Sequence, residues 1–117
     1  MQIEIHTDGN IEGHEALTAQ VSGVVQSALR RFSEHITRVD VHLSDENSDK
    51  KVGYNAMRCM MEARLEGRQP LAVTHQATTL DDAVDGAADK LTSLIEHTLG
   101  RLREKQSHRT DPDDLLP

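Results

Sequence analysis

Across Ile36 to Asp45 apolar and polar residues alternate. Val39, Val41 and Leu43 fall on one side, Asp40, His42 and Ser44 on the other. Successive side chains of a strand point to opposite faces, so this segment is a β-strand with one dry and one wet face. The same period recurs from Gln2 to Thr7, where Ile3 and Ile5 oppose Glu4 and His6. It recurs again in Val52 to Glu66. There Met57, Cys59, Met61, Ala63 and Leu65 share one face, and Arg58, Met60, Glu62 and Arg64 share the other. After the hairpin connection Glu66-Gly67-Arg68-Gln69-Pro70, Leu71, Val73, His75 and Ala77 form the inner face of a fourth strand. A sheet that is wet on one side needs cover on the other side only.

Two segments of helical period supply that cover. From Gly13 to about Glu34, Leu17, Val21, Val24, Ala28 and Phe32 form one stripe, widened by Val25 and Leu29. Gly23 lies inside this helix, where glycine costs about 1 kcal/mol relative to alanine; close packing on a neighbouring element is the expected reason for it. The second helix runs from Thr79 to about Lys105, with Leu80, Val84, Ala87, Ala88, Leu91, Ile95 and Leu102 as its stripe. Thr79 is placed to cap it, with Asp82 three residues on. Asp81, Asp82 and Asp85 complement the positive end of the helix dipole, and Arg101, Arg103 and Lys105 the negative end.

The order β-α-β-β-β-α predicts an α/β (α+β) two-layer sandwich: a four-stranded mixed sheet with two helices on one face. The first strand reaches the second through a helical crossover, so those two run parallel, and the remaining pairs are antiparallel hairpins. One domain is expected over residues 1–105. Residues 106–117, with Ser, Thr, Asp and two prolines, read as a disordered acidic tail.

The formal charge of −7 in 117 residues gives no default attraction to nucleic acid or membrane. The acids are uneven, however. Setting aside Asp45, Glu46 and Asp49 in a polar loop and Asp111, Asp113 and Asp114 in the tail leaves fourteen acids against thirteen bases. A single cysteine, Cys59, admits no internal disulfide and fits a reducing compartment. The N-terminus carries no basic region followed by an apolar run, so the expected location is the cytoplasm.

Catalytic signatures are missing: no Gly-rich phosphate loop, no nucleophile elbow and no His-Glu-x-x-His helix. The expectation is a binding protein rather than an enzyme, with no cofactor and no small-molecule substrate. His6 and His42 fall on the wet face of neighbouring strands, opposite Cys59. They read either as a weak divalent-ion site completed by Asp40 or as two adjacent surface histidines, and the second reading is adopted. His75, on the inner face, reads as a core or helix-start residue. The basic candidates are Lys90, Arg101, Arg103 and Lys105 on the second helix, and Arg30 and Arg31 at the end of the first. Lys90 and Arg101, eleven residues apart, share a helix face. No aromatic residues interleave with these bases, so contact with nucleic acid is expected at backbone phosphates.

The chain resembles the ribosome hibernation-promoting factors and ribosome-associated translation inhibitors. The resemblance is carried by Glu15-Ala16-Leu17 opening the first helix, by Ala83-Val84-Asp85 and Asp89-Lys90-Leu91 in the second, and by Glu66-Gly67-Arg68 before Leu71. It runs from Met1 to about Lys105. It implies a sandwich akin to double-stranded-RNA-binding domains with an extra strand, and a bacterial stress factor. Such a factor sits in the channel of the small ribosomal subunit and silences translation through basic residues on its helices. Lys90, Arg101 and Arg103 match basic positions of the family's second helix. The family's mid-helix bases fall near Val25, Gln26 and Ser27 here, Ser93 and His97 replace two more, and its aromatic residue before Ala-x-Asp falls near Asp81. Each missing base implies one phosphate contact fewer and a salt slope flatter by about one unit. The chain reads as a short form, without the second domain with which long members pair ribosomes. The competing reading is an acidic protein-interaction module derived from the same fold.

Overall fold

Strand β2, Ile36–Asp45, is central to the sheet of this computed structural model, which describes residues 1–8, 14–45 and 57–110, with side chains at 1–8, 15–45 and 57–100. On one side β2 pairs in parallel with β1, Gln2–Thr7; on the other it pairs antiparallel with β3, Met57–Leu65. β3 in turn pairs antiparallel with β4, Leu71–Ala77. The sheet order is β1-β2-β3-β4. The mixed topology is the one expected, and its cause is connection length: the helical crossover is long enough to return the chain in the same direction. Gly67, at φ +72°, lets the β3–β4 connection close, with the Arg68 amide donating to the Leu65 carbonyl at 3.1 Å.

The alternation has one flaw that the structure resolves. Ile36 and Val39 are both apolar but three residues apart, an odd spacing that strict pleating would send to opposite faces. A register shift between Ile36 and Arg38 absorbs the mismatch, and both side chains are buried.

Helix α1, His14–Leu29, and helix α2, Leu80–Thr110, cover the inner face. α1 stops short of the expected Glu34. A single 3₁₀ turn, Arg30–Phe32, tightens the exit, and His35 donates back to the Phe32 carbonyl at 2.8 Å before β2 begins. α2 starts as the sequence expects. The Asp82 amide donates to the Thr79 hydroxyl at 3.1 Å, and the Ala83 amide to the Thr79 carbonyl at 3.0 Å. Its helical backbone continues to Thr110, past the expected end at Lys105. The expected tail at residues 111–117, the polar loop and strand start at 46–56, and the turn at 9–13 lie outside the described residues.

The core is aliphatic. Val21, Val25 and Leu29 of α1 meet Val39, Val41 and Leu43 of β2, Cys59 and Met61 of β3, and Leu91 and Ile95 of α2. Burying each such side chain contributes about 1.5–3 kcal/mol. Ala83, Ala87 and Ala88 keep the buried face of α2 thin where it lies on the sheet. Cys59 is fully buried, and burial pushes its thiol up to about 12, so it behaves as a small apolar residue.

Gly23 does not pack as expected. It is exposed, and a β-carbon there would meet nothing within 4 Å. Gly23→Ala should therefore stabilise the fold by about 0.5–1 kcal/mol, the helix-propensity gain alone. Urea unfolding measures this, and a loss of stability would show that the glycine has a contact role after all.

Candidate nucleic-acid interface

The helix layer carries the sequence's basic candidates, and the structure separates them. Arg30 and Arg31 sit exposed in the 3₁₀ turn. The Arg31 guanidinium donates to a Glu96 carboxylate oxygen on α2 and lies 4.8 Å from the Phe32 ring centroid. Lys90 turns the other way. Its Nζ donates at 3.0 Å to the carbonyl of Thr74, on the edge strand β4. Two of the expected phosphate ligands thus already have partners, on opposite flanks of α2. Arg101, Arg103 and Lys105 lie on the later part of α2, and their side chains are outside those described.

Charge along α2 is polarised. Asp81, Asp82, Asp85 and Asp89 are exposed over its first three turns, and the bases come only after residue 100 apart from Lys90. Gln26, Ser27, Ser93 and His97, where the resemblance implies bases, are all exposed. Val25 is fully buried, so it stands in the core and never faces a ligand.

The wet face of the sheet holds a second cluster. Parallel register sets Glu4 beside Asp40 and His6 beside His42. The two imidazole rings stack at 4.6 Å with 14° between their planes. Asp40 is only 7% exposed. Arg38 donates to both of its oxygens, at 2.9 to 3.1 Å, and to Glu4 at 3.2 Å. His6 Nε2 lies 3.4 Å from Asp40. The hydrogen bonds from Arg38 hold the Asp40 carboxyl below the usual carboxylate range, against the opposing effect of burial. Donor atoms of Glu4, His6 and Asp40 all lie within 4.8 Å of one another. Even so, Arg38 already supplies the compensating cation, so a divalent ion would have to displace it.

That arrangement has a pH signature. With the folded pKa of Asp40 below its unfolded value, its contribution to stability is present at neutral pH and is lost as pH falls through the folded value, below about 4. Arg38→Ala should destabilise the fold at pH 7 by leaving a nearly buried carboxylate short of donors. It should also flatten the acid limb of the stability profile. Urea titrations of both proteins at pH 7 and pH 3 check this; an unchanged acid limb in the variant would assign it to other carboxylates.

The sequence from residue 3 to 103 matches the model of one family, the Sigma 54 modulation protein / S30EA ribosomal protein family. The chain belongs to that family. The resemblance to hibernation factors drawn from the residues is thereby borne out. Among solved structures, the N-terminal domain of Protein Y from Thermus thermophilus is similar at a TM-score of 0.60 and 22% identity. It covers 84% of this chain and 99% of its own. A ribosomal subunit interface protein from Coxiella burnetii is similar at 0.63 and 14% identity, covering 86% and 99%. At these identities the structural matches establish the S30EA-family fold. Among curated proteins none matches the sequence.

Within this S30EA-family fold, the sequence reading missed three residues that shape the surfaces. Glu96 neutralises Arg31 from 65 residues away, and no local pattern announces it. Arg38 was legible in principle, as a base two residues before Asp40 on the same strand face. Gly86 leaves room for the His75 ring against α2, which only the packing of β4 reveals. Among the described residues no helix is long and apolar enough to cross a membrane.

Proposed function

We propose that this protein is a ribosome-associated hibernation factor. It binds small-subunit ribosomal RNA in the cytoplasm through the basic end of its helix layer and so silences translation. Family membership over residues 3–103 carries this reading. The two structural neighbours, Protein Y and a ribosomal subunit interface protein, point the same way. The activity is binding, not catalysis. Arg30, Arg31, Lys90, Arg101, Arg103 and Lys105 are the proposed phosphate ligands, and charge rather than base reading supplies the affinity. Charge along α2 gives the contact a polarity: most of its bases come after residue 100, and only Lys90 stands among its acidic first turns.

Co-sedimentation with ribosomes from starved cells, at low and at moderate salt, tests the proposal. Recovery in the 30S-containing fractions at low salt, falling as salt rises, is the expected result. Absence from those fractions at both salts would sink the proposal. Glu96 adds a signed check. It competes with phosphate for Arg31, and an exposed ion pair of this kind is worth about 0–1 kcal/mol. Glu96→Gln should therefore tighten ribosome binding by up to about fivefold at low salt. Weaker binding in that variant would mean that Glu96 positions Arg31 instead of masking it.

A further inference from the structure

A shallow groove runs between α1 and α2 at the acidic end of the helix layer. Its apolar floor is formed by Gly23, Val24 and Ala28 of α1 and Ala88 of α2, and its polar rim by Ser27, Asp85 and Asp89. All four floor residues are small or short, and the space above Gly23 is open. At one end the Gln20 amide donates to Asp81 at 3.2 Å and links the two helices.

The rim carboxylates have no role in building the helix. Asp81 and Asp82 lie in the first turn of α2, where cap and dipole account for them. Asp85, expected from the sequence to complement the dipole, lies with Asp89 beyond the first turn of α2, where that effect has faded. With Asp81 they stand four residues apart on one stripe, a like-charge spacing that weakens a free helix. None of the bonds described reaches Asp85 or Asp89: Lys90 is bonded to Thr74, Arg31 to Glu96, and the bond to Asp81 comes from a neutral amide. The apolar strip is therefore left with a negative border and no matching cation among the bonds described.

We propose that this groove docks a basic amphipathic segment of a partner protein. Small apolar side chains of the segment lie along Gly23, Val24, Ala28 and Ala88, while its Lys or Arg side chains pair with Asp85 and Asp89. Charge complementarity selects this occupant. A nucleic-acid backbone is repelled by the same rim. A second copy of this chain seated there would make the groove amides shift with protein concentration in the absence of peptide, which overturns the proposal. The groove is distinct from the basic end of the layer, so the proposal stands whether or not ribosomal RNA is bound there.

The test uses the full chain, labelled with ¹⁵N, and a synthetic peptide of about 14 residues, four helical turns, with Ala and Leu on one face and Lys on the other. Binding should shift the amides of Gly23, Val24, Ala28, Asp85, Ala88 and Asp89 together. Asp85→Asn with Asp89→Asn should weaken it by about fivefold to tenfold, the scale of two partly exposed ion pairs. Gly23→Leu adds bulk at an exposed helix position where a β-carbon meets nothing within 4 Å, and should abolish the groove shifts while leaving the thermal midpoint unchanged or raised. The proposal is overturned by any of three results: no shift in these amides at millimolar peptide, equal binding of a Glu-for-Lys peptide, or unchanged binding to Gly23→Leu. Displacement of the peptide from these amides by an oligouridine would assign the groove to RNA and overturn it as well.

Discussion

Gly86→Ala is expected to destabilise the fold although it places a better helix former inside a helix. The imidazole of His75, on β4, occupies the space a β-carbon would take. A methyl group built at residue 86 would lie 2.1 Å from Cδ2, 2.3 Å from Nε2 and 2.6 Å from Cγ of that ring. Contact with Cγ, close to the backbone of β4, means that rotating the ring tip alone does not clear the clash. Either the ring leaves the inner face or α2 lifts from β4. Overpacking of this kind costs about 1–3 kcal/mol, against a propensity gain of about 1 kcal/mol at most. The expected net loss is up to about 2 kcal/mol in urea unfolding. The diagnostic is the double variant with His75→Ala. Removing the ring leaves a space that the new methyl partly fills, so the two costs should be far from additive. Additive costs would mean that residue 86 and the His75 ring do not meet.

Replacing Lys90, Arg101 and Arg103 together by alanine should have the largest effect on binding, given the proposed function. Each lost phosphate contact removes roughly 0.7–0.9 units from the slope of log affinity against log salt, so the three should remove about 2–3 units. At moderate salt that corresponds to about a 10- to 100-fold weaker association with ribosomes. The fold should be spared. Lys90 is exposed and its bond to the Thr74 carbonyl is a surface contact, so its loss should stay within about 0.5 kcal/mol. Co-sedimentation over a salt series separates the two effects. A parallel shift in affinity with no change of slope would mean that these residues act through packing and not through phosphate.

The architecture was legible because its cause is local. Alternation places Val39, Val41 and Leu43 on one face and Asp40 and His42 on the other, whatever the rest of the chain does. The Thr79 cap and the apolar stripe of α2 are likewise properties of a few consecutive residues. Even the opposition of Cys59 to the histidine pair followed from counting parity along two strands. Parity failed only at Ile36, where a bulge corrected it, and the burial of both Ile36 and Val39 required that correction. Local reading also overreached at Gly23, since a glycine in a helix says nothing about whether a neighbour stands opposite it.

By itself the sequence determined the element order, the direction of each strand pair, the composition of the core and the family. These follow from hydrophobic period and connection length, which need no partner. Only the tertiary structure decided which charges are free to act. Arg31 and Glu96 are 65 residues apart, Lys90 and Thr74 sixteen, and Arg38 and Glu4 thirty-four. Each pairing depends on where separate elements come to rest on the sheet, and electrostatics is decided by that distance, not by the residue types alone. The stripe of bases that a list of residues suggests is therefore partly spent on internal contacts. The acidic turns of α2, which look like ordinary helix design, are left facing an open groove.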